Sequence, residues 1–436
     1  MKRGHMAFAL TLLASINALG FMDRVMIALV AEKIKAEFSV TDFEIGLLGG
    51  TAFAVVNALA SVPIARLAER WKRAYVSAGF LMLASVFTAL AGFTTTFVQL
   101  LLCRIGMAAG NAATEAPPHS MISDMYPPEK RSSAISIFML GVPVAALLGS
   151  FVGGMIAEQW DWRQTFQFFG VLGALVAFAC FIFLKEPERA TQVVQSDPLT
   201  TWAILRRLLG TSVLRYTIVG VALISLGSFG INTFLPAFFS RSFGLGAGQA
   251  GLAFGVISGL ASLAGTLIGG FGSDYMARRD PRWLLRFPAL GIAIGVPIFL
   301  LGLMSASLTV AIALMLIGSL SFYTVMGPAI STLHASLDSF SRATGSALFL
   351  LMVYFVGQGI GPPLVGLVSD TASGLLYQGG DFAARCQGAA AQVPGSACAL
   401  ASAGGLRWAI AAFAVFFIGG GLALWLASRG SVRDQL

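Results

Sequence analysis

The chain has 436 residues, of which 57% are hydrophobic and only 11% are charged, and its mean hydropathy is +0.82. Soluble domains average roughly 45–50% apolar and about 25% charged residues. So few charges could not cover the surface of a soluble fold. The composition therefore predicts an integral membrane protein and excludes most classes of soluble enzyme.

Twelve apolar stretches are long enough to cross a membrane as helices, since a spanning helix needs ~20 mainly apolar residues. None has the period-two alternation of a membrane β-strand. The first stretch continues through Asn17, Asp23 and Arg24 without a small-residue cleavage site, which favours a retained helix over a signal peptide. The predicted spans are 6–31, 43–66, 74–93, 97–120, 132–157, 163–185, 211–240, 248–273, 283–306, 308–337, 343–370 and 405–428.

The basic residues predict how these spans are oriented. With both termini in the cytoplasm, 20 Lys and Arg residues fall in cytoplasmic segments and 6 in outer loops. This is the bias of the positive-inside rule. The formal charge of +8 is thus a topology signal, and no nucleic-acid partner is expected.

An internal repeat divides the spans into two sets of six. A shift of 205 residues aligns the second span and its loop with the eighth, and parallel repeats of this kind are one known transporter plan. We predict a bundle over 1–185, a cytoplasmic linker over 186–210, and a second bundle over 211–436 with an outer loop at 371–404. The aligned pairs include Gly46 with Gly251, Gly50 with Gly255, Glu69 with Asp274, and Arg73 with Arg278.

The loops after the second and eighth spans carry a resemblance. Residues 65–73 read ARLAERWKR and residues 270–279 read GFGSDYMARR. Both are similar to the helix 2–3 loop motif of the major facilitator superfamily, although the first copy has Ala65, Glu69 and Lys72 where that motif has Gly, Asp and Gly. A plain positive-inside loop is the alternative. The resemblance implies a twelve-helix fold in two pseudo-symmetric bundles, with an inter-helix charge network of Glu69, Arg70, Arg73, Asp274 and Arg278.

Four charged side chains lie well inside the spans of the first half, away from the span ends: Asp23, Arg24, Arg104 and Glu115. Such charges cost ~2.5–3.5 kcal/mol each on insertion scales, so they are functional candidates. Arg104, Asn111, Glu115 and His119 would share one face of a continuous helix, as would Asn17 and Arg24. A polar stripe this long predicts a cavity lining.

Two interpretations of these charges remain open. They could neutralise one another as buried ion pairs, although apolar residues would pack as well. Alternatively, Asp23 or Glu115 carries a proton while Arg24 or Arg104 holds an anionic headgroup or the resting carboxylate. We expect proton coupling at Asp23 and Glu115. The expected substrate-binding residues are Asn17, Arg24, Arg104, Asn111, Asn232 and Tyr323.

The second half is less charged, and its polar residues Asn232 and Tyr323 lie among several Phe residues. This asymmetry suits an amphipathic substrate, although Phe is also ordinary lipid-facing filler. Tyr323 and His334 are eleven residues apart and would share one helical face. His334 is a possible pH switch or a satisfied packing residue.

Further segments resemble Spinster-type transporters. Residues 17–24 read NALGFMDR and residues 104–116 read RIGMAAGNAATEA, and segments 130–144, 184–189 and 359–363 also fit. The resemblance covers nearly the whole chain and implies proton-linked movement of lysolipids. Asp23, Arg24 and Glu115 match the charged positions of that family. Organic-anion symporters also have an Asn and an Asp-Arg pair in the first helix.

We therefore predict a monomeric inner-membrane secondary transporter of an amphipathic or lysolipid-like substrate, with protons as the coupling ion and no other cofactor. The alternatives are an organic-anion or sugar-acid symporter, a multidrug efflux antiporter, and a non-transporting receptor on the same fold. No nucleophile–base set, ATP-binding Walker pattern or Cys/His metal cluster appears in the sequence. In the outer loop, Cys386 and Cys398 are expected to form a disulfide.

Overall fold

The computed structural model describes residues 3–187, 201–337, 342–386, 388 and 393–430. Every regular element in these residues is a helix. In the described residues, eleven helical stretches are long and apolar enough to cross a membrane, one of them with a short break, and a twelfth stretch is divided into two shorter helices. They are α1 (Arg3–Phe38), α2 (Asp42–Arg70), α3 (Arg73–Ala91), α4 (Phe97–Asn111 and Ala116–Met125), α5 (Ser133–Gln159), α6 (Trp162–Phe183), α7 (Ser212–Phe243), α8 (Ala247–Ala277), α9 (Trp283–Met304), α10 (Leu308–Phe322 and Met326–Ala335), α11 (Gly345–Leu376) and α12 (Ala397–Ala427).

The helices form two bundles of six, α1–α6 and α7–α12, which meet mainly through α2 against α11 and α5 against α8. We call the end that carries both termini the inner end and the opposite end the outer end, after the orientation that the basic residues predict. The two bundles pack together at the outer end. The second segments of α4 and α10, at the inner end, pack chiefly within their own bundles.

Close backbone contact at the outer end explains the repeated glycines. A Cβ added to Gly46 or Gly50 of α2 would lie 2.5 Å from a carbonyl oxygen of α11, and one added to Gly251 of α8 would lie 2.5 Å from the Ser150 carbonyl of α5. Small residues let helix backbones approach in this way. The repeat therefore places glycine on both symmetry-related helix pairs.

Four of the interface helices share a second feature, a short π-helical segment. These segments lie at Leu47–Thr51 in α2, Ala145–Gly149 in α5, Gly255–Leu260 in α8 and Phe355–Ile360 in α11. They break the regular hydrogen-bond ladder, and such π-bulges often occur at functional sites. Thr51 also donates a hydrogen bond of 2.5 Å to the Gly359 carbonyl across the interface.

Helix α1 is longer than predicted, since it continues to Phe38 and the prediction ended it at residue 31. The extra turns are polar, which is why hydropathy ended the span early. Their charged side chains pair with other helices, as in the contacts of Glu32 with Arg241 and of Glu37 with Arg163. Tertiary ion pairs therefore support this extension.

Two predicted spans are not continuous helices. Helix α4 is interrupted at 112–115 and α10 at 323–325. Pro117 and Pro118 begin the second segment of α4, and proline cannot donate the backbone hydrogen bond that would continue the first. The expectations of one polar face from Arg104 to His119, and of one face shared by Tyr323 and His334, are therefore wrong.

The connecting segments also differ from the predictions. The predicted linker ends in a helix, Thr201–Gly210, and its residues 188–200 lie outside the described part. The predicted outer loop 371–404 is partly helical, because α11 continues to Leu376, α12 begins at Ala397, and Phe382–Arg385 forms a short helix. A disulfide joins Cys386 to Cys398.

Candidate functional site

An ion pair joins α1 to the break in α4. Arg24 Nη2 donates to Glu115 Oε1 at 2.9 Å, and the two side chains are 17% and 45% exposed. Tyr354 of α11 lies within electrostatic range of both groups. The pair therefore faces the second bundle across the interface.

Glu115 faces the second bundle because α4 is interrupted next to it. Glu115 is the residue directly before the second segment, so its side chain leaves the chain at an irregular turn. Thr114, its neighbour, is buried and donates to the Asn111 carbonyl at 2.8 Å. A regular helix would have fixed Glu115 on the face of Arg104 instead.

Asp23 points away from Arg24 into the packed interior of the first bundle. Its carboxylate accepts hydrogen bonds from Thr88 of α3 at 3.0 Å and from Asn111 of α4 at 2.8 Å. The residue is only 7% exposed. The adjacent Asp23 and Arg24 therefore serve different partners.

Arg104 is completely buried and binds backbone carbonyls. It donates to the carbonyls of Asp23 at 2.5 Å, Leu48 at 3.1 Å and Gly49 at 3.4 Å. Its guanidinium also lies 4.6 Å from the ring centroid of Phe53. Arg104 thus ties α4 to α1 and to the π-helical segment of α2.

In this conformation Arg104, Asn17 and Asn111 are buried inside the first bundle, and their role in substrate binding stays a prediction. Asn17 is 5% exposed and donates to the Phe138 carbonyl of α5 at 3.1 Å. Asn111 is 1% exposed and holds Asp23. These polar groups satisfy other buried polar groups, which a bundle requires in the absence of water. Of the first-half candidates, Arg24 and Glu115 face the second bundle.

The second bundle contains a small polar cluster centred on Asn232 of α7. Its amide nitrogen donates to Tyr323 at 3.2 Å, and its amide oxygen accepts from Ser258 at 2.8 Å. Aromatic rings of Phe299, Phe322 and Phe417 line the same place. The predicted pair Asn232 and Tyr323 is thus brought together, in mostly apolar surroundings.

The predicted charge network at the inner end differs in its partners. Arg73 pairs with Asp124 at 2.6 Å and with Glu186 at 2.8 Å, and also donates to Ser120. Asp124 and Glu186 were not predicted, because pairing between distant segments leaves no local signal. The network therefore joins the start of α3 to the end of α4 and to the segment after α6.

Three further residues near Asp23 and the Arg24–Glu115 pair were not predicted from the sequence. Thr88 binds Asp23, Phe53 lies beside both arginines, and Tyr354 faces the ion pair from the second bundle. A threonine or an aromatic residue within an apolar span carries no distinctive signal. Their roles follow from which helices are neighbours.

Comparison with known proteins decides the family. The sequence profile of the Major Facilitator Superfamily matches residues 13–362. The chain belongs to the major facilitator superfamily. A protein of Mycolicibacterium smegmatis described as an MFS-type efflux pump is 29% identical over 366 residues, covering 83% of this chain and 84% of the relative.

Within the superfamily this transporter resembles Spinster proteins. Protein spinster homolog 1 of Bos taurus is 26% identical over 394 residues, covering 85% of this chain and 74% of the relative. The crystal structure of a bacterial homolog of the human lysosomal transporter Spinster, in an inward-facing and occupied conformation, matches with a TM-score of 0.89 and 27% identity over 100% of this chain and 99% of that one. The protein is thus a multi-pass secondary transporter, and the relatives and the fold are those of transporters, not enzymes.

Proposed function

We propose that this protein is a proton-coupled transporter of an amphipathic, lysolipid-like substrate that works by alternating access. We place it in an inner membrane as a monomer with both termini in the cytoplasm. The observation that carries the proposal is the Arg24–Glu115 ion pair, which faces the second bundle with Glu115 nearly half exposed. The similarity to Spinster proteins supports the substrate class.

The geometry of Arg24 suggests how an anionic headgroup would couple to a proton. Among the described residues, Arg24 Nε is buried without a hydrogen-bond partner, so the guanidinium has a donor to spare. Arginine binds phosphate or carboxylate through two such donors. A headgroup on Arg24 would compete with Glu115, and the released carboxylate could then take up a proton.

The second bundle offers the complementary surface. Tyr354 packs against Phe229 with ring centroids 5.9 Å apart, opposite the ion pair. The Asn232–Tyr323 cluster lies among further aromatic rings. A charged wall on one side and an aromatic wall on the other suit a molecule with a polar head and an apolar chain.

The decisive experiment measures proton flux into proteoliposomes that contain the purified transporter. Lysolipids, sugar acids and cationic dyes are added separately, and Glu115→Gln is compared with Asp161→Asn. The second variant is a matched control, because Asp161 is an exposed acid that caps α6 and asparagine caps equally well. We expect lysolipid-driven flux that Glu115→Gln lowers by about tenfold or more and that Asp161→Asn leaves unchanged.

Other outcomes would select a different function. Flux with sugar acids alone would make the protein an organic-anion symporter. Flux with varied cations would make it an efflux antiporter, a function in line with the efflux pump of Mycolicibacterium smegmatis. Saturable binding without any flux would point to a receptor. Full proton flux in Glu115→Gln would show that Glu115 is not the residue that couples transport to protons.

A further inference from the structure

A second group of charges lies at the outer end, where the two bundles meet. It comprises Glu32 and Lys35 of α1, Asp42 of α2, Arg241 of α7 and Asp370 of α11. We call it the outer charge cluster. Its members come from both bundles, so it can exist only while the bundles are together at this end.

The ion pairs of the outer charge cluster converge on Asp42, which is 1% exposed. Arg241 Nη2 lies 2.7 Å from Asp42 Oδ1 and 2.6 Å from Glu32 Oε1, while Lys35 Nζ lies 2.6 Å from Asp42 Oδ1. Ser369 of α11 donates to the other oxygen of Asp42 at 2.7 Å. Both cations are therefore occupied by Asp42 and Glu32.

Asp370 is the fifth member of the cluster. In the described residues, the ion pairs of Lys35 and Arg241 go to Asp42 and Glu32 and not to Asp370. Its two oxygens accept hydrogen bonds from the backbone N–H groups of Asp42 at 3.1 Å and Phe43 at 2.9 Å, across the interface. These donors are neutral. The cluster has three acids and two bases, so it carries a formal charge of −1 when every group is ionised.

A cavity of about 270 Å³ borders Asp370 and Lys35 at this end. The short helix Phe382–Arg385 and Cys386 form part of its wall, so the disulfide-closed loop covers the cluster. A water occupies ≈ 30 Å³ of liquid volume, so the cavity can hold several waters. Asp370 can therefore exchange a proton with water while the bundles remain together.

We infer that Asp370 is a proton-binding site at the outer gate, separate from the Arg24–Glu115 pair. Closing the outer end withdraws most of the cluster from bulk water while leaving one uncompensated negative charge, which is costly unless a proton neutralises it. The two backbone N–H donors ease that cost without cancelling it. When the bundles part at the outer end, Asp370 loses these partners, is hydrated, and returns its proton to water.

The sign of the pH dependence follows from this exchange. The state that is closed at the outer end binds one proton more than the open state, so acid favours closure and alkali favours opening. The charged groups around Asp370 are Asp42 and Lys35, whose charges act on it directly, Arg241 and Glu32, which pair with each other and bracket Asp42, and Asp381 on the wall of the shared cavity. The inference does not depend on which substrate is carried.

Pulsed EPR distances across the outer end test the inference without substrate. Spin labels are placed at Trp160→Cys and Leu400→Cys, which are both exposed at the outer ends of their bundles, after Cys103 and Cys180 are replaced by serine. The transporter is measured in nanodiscs from about pH 4 to about pH 8. We expect the ratio of closed to open protein to rise on acidification by up to about tenfold per pH unit, the limit for one linked proton.

Variants at Asp370 separate proton binding from simple structural support. Asp370→Asn keeps a hydrogen-bond acceptor but does not titrate, so it should stay closed with the pH slope largely removed. Asp370→Ser, a second neutral helix cap, should do the same if the asparagine variant fails to fold. Asp370→Glu should keep the slope.

The matched control is Asp381→Asn, which removes an acid from the same cavity but outside the ion-pair network and retains the cap of its short helix. It should keep the wild-type slope. An equal slope in Asp370→Asn, an absent slope in the wild type, or opening on acidification would overturn the inference. None of these outcomes bears on lysolipid flux or on Glu115, so this inference and the proposed function can fail independently.

Discussion

Arginines within the spans of this transporter have different roles although their sequence settings look alike. Arg104 is fully buried and uses its planar guanidinium to bind three backbone carbonyls, whereas Arg24 pairs with a half-exposed carboxylate at the interface. The difference comes from the direction of each side chain relative to neighbouring helices. At this scale, Arg104 is a stabilising residue and Arg24 is a binding candidate.

Arg104→Lys should destabilise the transporter by roughly 3 kcal/mol, because a lysine ammonium cannot match the fork of the guanidinium and buried charges without partners are costly. Thermal unfolding in detergent measures the effect. Arg163→Lys is the control, since Arg163 forms a more exposed pair with Glu37 and its replacement should cost less than about 1 kcal/mol. Equal melting temperatures for the two variants would contradict a structural role for Arg104.

Paired glycines and π-helical segments make up the outer interface at the scale of whole helices. Gly251 and Gly255 of α8 contact α5 as Gly46 and Gly50 of α2 contact α11. Each π-helical segment lies beside its partner, Leu47–Thr51 near Phe355–Ile360 and Ala145–Gly149 near Gly255–Leu260. The same device therefore appears twice, as the internal repeat requires.

Gly251→Leu should push the two bundles apart at the outer end, because its Cβ alone would lie 2.5 Å from the Ser150 carbonyl. The fraction of protein closed at that end should fall several-fold, given that overpacking typically costs 1–3 kcal/mol. The distance between the spin labels at residues 160 and 400 measures this fraction. Gly270→Leu on the same helix is the control, since nothing lies within 4 Å of its added Cβ. A change of the same size in both variants would rule out the interface explanation.

The two bundles pack together at the outer end, and in the described part of the chain the inner segments of α4 and α10 contact chiefly their own bundles. The outer charge cluster and the glycine contacts hold the closed side, while Arg73 with Asp124 and Glu186 braces the first bundle at the other side. This arrangement is consistent with the match to an inward-facing relative. Which end faces the cytoplasm is a prediction from the distribution of basic residues.

A thiol-labelling experiment checks this orientation. Cysteines replace Gly210, at the inner end, and Gly374, at the outer end of α11, in a Cys103→Ser and Cys180→Ser background; neither glycine has an atom within 4 Å of an added Cβ. A membrane-impermeant reagent should label position 374 in intact cells and position 210 only after permeabilisation. The reverse pattern would invert the predicted topology.

The number of spans, the two-fold repeat and the family could be recognised without a structure, because hydropathy, basic-residue bias and loop motifs are local in the chain. Residues 65–73 and residues 270–279 each carry a copy of the family motif as one continuous stretch. The breaks in α4 and α10 were missed, although the Pro117-Pro118 pair was a visible warning for the first. Hydropathy does not distinguish one long helix from two short ones.

The partners of the polar side chains depended on the tertiary structure. Asp23 with Thr88, Arg73 with Glu186, and Asp42 with Arg241 join residues that are far apart in sequence. Charges in an apolar span predict that a partner exists, since an unpaired charge there is too costly, but they do not identify it. Composition predicts membrane insertion because lipid requires apolar side chains along each span. Helix packing, in contrast, determines which polar groups meet and which face the path between the bundles.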